Sequence, residues 1–149
     1  MEIRPALASD HAVAMTLLRA AGLPCPKPED PAVTLFVGIE DGEIVACAGF
    51  ERHAGVALVR SVAVREGARG RGAGRRTVTR VLDELDRRGL PVAYLVTLDA
   101  AAFFERLGFL AVDRETVPAA IQASPEWSLH ACVGGTWMRW EREPVKRRD

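Results

Sequence analysis

Arg69-Gly70-Arg71-Gly72-Ala73-Gly74-Arg75 stands between an apolar run, Val56-Ala57-Leu58-Val59-Arg60-Ser61-Val62-Ala63-Val64, and a segment in which Val78, Val81, Leu82 and Leu85 recur at helical spacing up to Gly89. The run before the glycines is apolar on both alternating faces except at Arg60 and Ser61, as a central strand covered on both sides would be. The glycines at 70, 72 and 74 remove side chains from one stretch, so successive backbone N–H groups can turn toward one point, and the helix that follows aims its positive end there. That is a seat for an anion, and Arg69, Arg71 and Arg75 stand where they can add charge-assisted hydrogen bonds, with Arg69 and Arg75 the stronger choices. Val92 to Thr97 reads as a further buried strand, which closes a strand–loop–helix–strand unit.

Outward from this unit, Met1 to Pro5 begins a first strand, and Ser9 is placed to cap a helix from about Asp10 to Ala21, before Gly22. Pro24 to Pro31 is too rich in proline to continue a helix and reads as a loop. Thr34 to Glu40 and Glu43 to Arg52 are β-rich and joined by Asp41-Gly42, a strong hairpin signal; with Val56 to Val64 they form three successive antiparallel strands. On the C-terminal side the expectation is a short helix over Ala100 to Leu107 closed by Gly108, a strand near Phe109 to Asp113, a helix near Pro118 to Ala123 and a last strand around Trp137 to Trp140. Residues 145–149 are expected to fray.

The chain has 149 residues, 48% hydrophobic and 27% charged, so one domain over 1–149 is expected. Twenty basic residues balance twenty acidic ones, which leaves no overall field to attract nucleic acid or an anionic membrane. Cys25, Cys47 and Cys132 are odd in number and far apart, with no histidine at zinc spacing, so a reduced cytoplasmic protein without metal is expected. No run of apolar residues approaches membrane length.

Two familiar phosphate-binding loops do not fit. No Gly-Lys-Ser/Thr follows the glycines, and counting a dinucleotide fingerprint from Gly70 and Gly72 puts Arg75 where the third glycine belongs. What Arg69-x-x-Gly72-x-Gly74 does resemble, after a central strand and opening a helix, is the Arg/Gln-x-x-Gly-x-Gly/Ala signature of the GNAT superfamily of acyl-CoA-dependent N-acyltransferases. A second family element, Asn-x-x-Ala-x-x-Phe-Tyr followed by Gly-Phe, is similar to Thr97-Leu98-Asp99-Ala100-Ala101-Ala102-Phe103-Phe104 with Gly108-Phe109. The opening Ile3-Arg4-Pro5-Ala6 and the strand order extend the resemblance over nearly the whole chain. Within the superfamily, Leu58 to Val64, Phe103-Phe104 and Pro118 to Cys132 resemble the acetyltransferases of arsenic-resistance gene clusters, whose relatives act on amino-acid-like acceptors.

The resemblance implies an α+β fold: a mixed, mostly antiparallel sheet of about six or seven strands, splayed between the fourth and fifth and covered by helices on both faces. It implies acetyl-CoA as co-substrate, with pantetheine along Val62, Ala63 and Val64, the pyrophosphate on Arg69, Gly70, Arg71, Gly72, Ala73, Gly74 and Arg75, and further contacts from Thr97, Ala100, Phe103 and Phe104. It also implies direct attack by a free amine, with the backbone N–H near Val62 polarising the thioester carbonyl. Many relatives have a tyrosine general acid where this chain has Phe104; the sole tyrosine, Tyr94, lies elsewhere.

For the proton on the amine, Glu51 leads Asp99, His53 and Glu126 as general base; against that, Glu51 reads as a solvated strand terminus beside Arg52. Arg60 and Ser61 are candidate acceptor contacts. An arginine there favours an acceptor with a carboxylate, unless Arg60 serves an internal carboxylate instead. Ser61 and Thr97 also read as groups that satisfy backbone at the splay.

The expected activity is therefore acetyl transfer to a small amine, an amino acid or amino-acid-like toxin. Its rivals are an acyl-CoA sensor without turnover and transfer to a protein amine. Trp127, Trp137 and Trp140 suit either a homodimer face or the core.

Overall fold

In the computed structural model, residues 1–23, 31–124, 127 and 134–143 are described. Strands β1 (Glu2–Pro5), β2 (Val33–Glu40), β3 (Glu43–His53), β4 (Val56–Val64), β5 (Val92–Thr97), β6 (Leu110–Ala111) and β7 (Thr136–Glu141) form one sheet in the order β1-β2-β3-β4-β5-β7-β6. All neighbours pair antiparallel except β4 and β5, which are parallel. The helices are α1 (His11–Ala20), α2 (Ala73–Arg87), α3 (Ala101–Glu105) and α4 (Ala119–Gln122). The β2–β3 and β3–β4 connections are two-residue turns, Asp41-Gly42 and Ala54-Gly55, with every φ positive, which matches the twist of the strands they join.

The sheet is covered on both faces. On one, Val78, Val81, Leu82 and Leu85 of α2 pack with Phe36, Phe50, Val59 and Leu95 of the sheet and with Phe104 and Phe109. On the other, Ala14, Leu17 and Leu18 of α1 pack on Leu35, Val37, Cys47 and Ala63, while Val117 and Ile121, at and just before α4, pack on Leu58, Tyr94 and Trp137. Each large side chain on these faces contributes about 1.5–3 kcal/mol by burial, more than any surface ion pair on the molecule supplies. The tryptophans belong to this interior: Trp137 and Trp140 are buried, and the Trp127 ring lies tilted against that of Trp137, centres 5.1 Å apart.

Several boundaries differ from expectation. The strand expected over 109–113 shrinks to Leu110–Ala111, because Phe109 turns into the core instead, edge-on to Phe104 at 5.8 Å. The helix expected over 100–107 keeps only Ala101–Glu105. Ser9 does not cap α1. A 3-10 turn (Ala8–Asp10) precedes the helix, and the carboxylate of Asp10 accepts the N–H of Leu7 at 2.7 Å while holding Arg4 at 2.6 Å. The proline loop, Cys25, Glu126, Cys132 and the tail lie outside the described residues, apart from Pro31 in a turn.

The Arg4 guanidinium, and after it the Leu7 N–H, hold the Asp10 carboxyl below its ordinary 3.8. A depressed native pKa adds stability that is present above the unfolded value and lost as pH falls through the native one. Asp10→Asn is therefore expected to lower the thermal midpoint at pH 7, with the deficit shrinking below about pH 4. Thermal melts of both proteins across that range check it.

Candidate active site

β4 and β5 are paired at Ala57–Ala93 and Leu58–Tyr94 and nowhere beyond. From Val59 and Leu95 onward the two strands part, and a cavity of about 670 Å³ opens between them. A bulge in β4 accompanies the parting. Between the Gly49–Arg60 and Cys47–Ala63 pairs, Ser61 and Val62 stand opposite the single residue Ala48, and Ser61 takes a left-handed φ of 58°. A bulge bends its strand and steepens the local twist, which carries the end of β4 away from β5.

The glycine turn closes one end of this cavity. Gly70 (φ 83°) and Gly72 (φ 81°) have nothing near where a Cβ would sit, so conformation alone selects glycine there. Gly74 is the reverse case: inside α2, an added Cβ would lie 2.8 Å from Cγ2 of Val64 and 3.4 Å from Cζ of Phe103. The helix is thereby seated directly on the strand and on α3. Gly72 gives α2 no side-chain cap, so the first N–H groups of a 15-residue helix face the cavity with their partial positive charge uncompensated by protein.

The side chains around it are arginine-rich. Among the described residues, Arg60, Arg69, Arg75 and Arg106 line the cavity against one acidic residue, Asp99. Arg71 turns away to Glu40, 3.1 Å from it. Thr97 uses its hydroxyl to accept the N–H of Ala100 at 3.0 Å, fixing the turn into α3. Phe103 and Phe104 meet edge-on at 5.0 Å, and Phe104 is buried.

On the α1 face of β3 and β4, a buried charge pair sits beside the bulge. Glu51 is 5% exposed and its Oε2 accepts Nη1 of Arg60 at 2.7 Å, while its Oε1 lies 3.6 Å from Nε2 of His53. Glu51 is thus not a solvated strand terminus, the alternative set against its reading as a base; it is buried against Arg60 of β4. Nε of Arg60 donates to Oγ of Ser61 at 3.3 Å, and the Cys47 thiol donates to the Ser61 carbonyl, also at 3.3 Å. Burial pushes the Cys47 thiol up to about 12, so it stays protonated and can act as that donor.

The cavity therefore gathers every expected donor-site residue except Arg71, together with Arg60 and Ser61, and leaves Glu51 off its wall. Sequence reasoning missed Arg106, one turn after Phe103, and Leu18 and Leu23 at the end of α1. For Arg106 the signal was present in its helical spacing from Phe103. For the α1 end there was none, because that contact depends on how the helix crosses the sheet. Among the described residues, no cluster of His, Cys, Asp and Glu is arranged to hold a metal, and no helix is long and apolar enough to cross a membrane.

Residues 8–109 match the family model described as Acetyltransferase (GNAT) family. The chain belongs to that family. It is an N-acetyltransferase of the GNAT type with the fold to match, and no curated protein matches it in sequence. The fold is similar to that of Rv2747 from Mycobacterium tuberculosis, solved in complex with CoA and NLQ, at TM-score 0.82 and 18% identity over 96% of this chain and 100% of that one. It is similar to N-acetylglutamate synthase from Neisseria gonorrhoeae, complexed with coenzyme A and N-acetyl-glutamate, at TM-score 0.80 and 16% identity over 96% of this chain and 35% of that one. An Escherichia coli N-acetyltransferase of a ribosomal-protein alanine gives TM-score 0.73 and 18% identity over 99% and 97%.

The Glu51–Arg60 pair yields a test of its own. Removing one member of a buried pair leaves the other charged and unpaired, at a cost of about 3–5 kcal/mol, whereas replacing both with apolar residues is far cheaper. Glu51→Ala is expected to lose that much unfolding free energy, and the Glu51→Met/Arg60→Met double variant much less. Denaturant titration of the cycle measures the difference.

Proposed function

We propose that this acetyltransferase moves the acetyl group of acetyl-CoA directly to the free amine of a small, carboxylate-bearing acceptor, an amino acid or amino-acid-like compound. The observation that carries the reading is the cavity in the β4–β5 splay, open along its length and ending at the uncapped start of α2. Pantetheine lies along Val62, Ala63 and Val64, using backbone groups that the parted strands leave unpaired. The pyrophosphate sits on the 70–74 amides with Arg69 and Arg75.

In this arrangement the N–H of Val62, next to the bulge, polarises the thioester carbonyl and holds the developing oxyanion. The amine nitrogen bonds to the carbonyl carbon, the C–S bond breaks, and CoA departs with the electron pair as thiolate. Phe104 offers no proton, but a thiol of pKa about 8.5 leaves tolerably as its anion near neutrality. Glu51 would serve as base only by giving up Arg60, so we assign the proton of the amine to Asp99, the carboxylate on the cavity wall.

The acceptor's carboxylate is drawn by the excess of arginine over acid around the cavity. Arg60, held in orientation by Glu51 and Ser61, is its nearest partner in β4. The resemblance of Leu58 to Val64 to acetyltransferases with amino-acid-like acceptors points the same way.

Acetyl-CoA consumption over a panel of amino acids, their decarboxylated amines and a peptide N-terminus tests the proposal. Turnover is expected with one or more amino acids and at least about tenfold weaker with the matching decarboxylated amine, an interaction difference of roughly 1.4 kcal/mol. Asp99→Asn is expected to lower kcat about 10²-fold or more. Equal rates with and without the carboxylate, or preference for the peptide, would discard the acceptor class.

A further inference from the structure

Among the described residues, three other than glycine have a positive φ: Asp41, Ala54 and Ser61. The first two occupy hairpin turns that require it. Ser61 is different, because it sits in the middle of the sheet's central strand, where left-handed backbone is unfavourable for any residue with a Cβ and persists only when the surroundings hold it. The surroundings do so at both ends of the residue. Its hydroxyl accepts Nε of Arg60, and its carbonyl accepts the Cys47 thiol. Arg60 is in turn fixed by Glu51 at 2.7 Å. Glu51, Arg60, Ser61 and Cys47 are all below 9% exposure, so water does not compete for these bonds.

We infer that Glu51, Arg60 and Cys47 form a lock that holds Ser61 left-handed, so that the following N–H, that of Val62, is kept out of the β3 ladder and turned toward the acyl carbonyl. In the lock these are positioning residues, which act through Ser61 and touch no reacting atom; the contact of Arg60 with the acceptor's carboxylate is a separate role that hydroxylamine, having no carboxylate, does not engage. This rests on the placement of the thioester at Val62 proposed above. It gives the buried charge pair a reason to exist, since a pair of apolar residues would pack as well in its place but would offer Ser61 no donor.

Ser61→Ala and Ser61→Gly separate this from a role for the hydroxyl in chemistry. Both remove the hydroxyl; only alanine keeps the left-handed penalty. The probe is acetyl-CoA labelled with carbon-13 at the carbonyl, followed by isotope-edited infrared spectroscopy, with hydroxylamine as an amine that needs no acceptor recognition and calorimetry to record binding. The wild-type carbonyl band is expected to move to lower frequency on binding. Ser61→Gly keeps that shift and Ser61→Ala loses most of it, with kcat for hydroxylamine down about tenfold and KM for acetyl-CoA within about twofold. Arg60→Lys, which keeps a cation for Glu51 but loses Nε, falls between them.

Equal behaviour of the alanine and glycine variants, whether both intact or both impaired, would overturn the lock. A wild-type protein that binds acetyl-CoA without any band shift would defeat the Val62 assignment itself and the lock with it. That result is read from the wild type alone, so the two failures are distinguishable.

Discussion

The joint between β4 and β5 is only two residue pairs long, and the site depends on that shortness. A parallel pair zipped to the end would satisfy its own amides and leave no room between the strands. Here the remaining length of both strands is freed, and two independent packings hold it open. On one side α2 and the Phe103–Phe104–Phe109 group brace β4 and β5 apart. On the other, α1 packs on Ala63 and α4 on Leu58 and Tyr94. The sheet continues beyond the gap through β7, whose six pairs with β5 anchor the far wall. The cavity is therefore a property of the whole sheet rather than of the loop at its end.

That loop does two kinds of work with one residue type. Gly70 and Gly72 supply backbone angles that a side chain would oppose, and Gly74 supplies room for α2 to rest against Val64 and Phe103. The consequence is electrostatic. With the helix start pressed onto the strand and left uncapped, its amides and the neighbouring Arg69 and Arg75 concentrate positive charge at one end of the slot. A long ligand with a charged head and a neutral tail suits such a gradient.

How much of this was legible in the sequence varied with the distance over which each feature is determined. The glycine turn, the hairpin at Asp41-Gly42, the buried strand Val56–Val64 and the apolar face of α2 are local patterns, and the structure has each of them. The polar pair Arg60-Ser61 stood out as an interruption in an apolar strand. Its cause was not readable, because the bulge and the partnership of Arg60 with Glu51 depend on strand register, which no local pattern specifies. Ser9 as a cap failed for a related reason: Asp10 is drawn to Arg4 and the N–H of Leu7, and a carboxylate bound to a guanidinium outcompetes a hydroxyl. Phe109 left the strand pattern because a ring gains more from the core than from a two-residue edge strand.

Two separate demands meet at β4. In the proposed mechanism the strand leaves the ladder to present a backbone donor, and it keeps its place between two packed faces. In the lock inferred above, Arg60 and Ser61 of β4 and Glu51 and Cys47 of β3 serve both demands together. The most direct measurement of the account is a crystal structure of the protein with CoA. The account predicts pantetheine in the β4–β5 gap beside Val62 to Val64, with the pyrophosphate oxygens within hydrogen-bond distance of the 70–74 amides. CoA bound elsewhere on the molecule, or with its phosphates turned away from that turn, would contradict it.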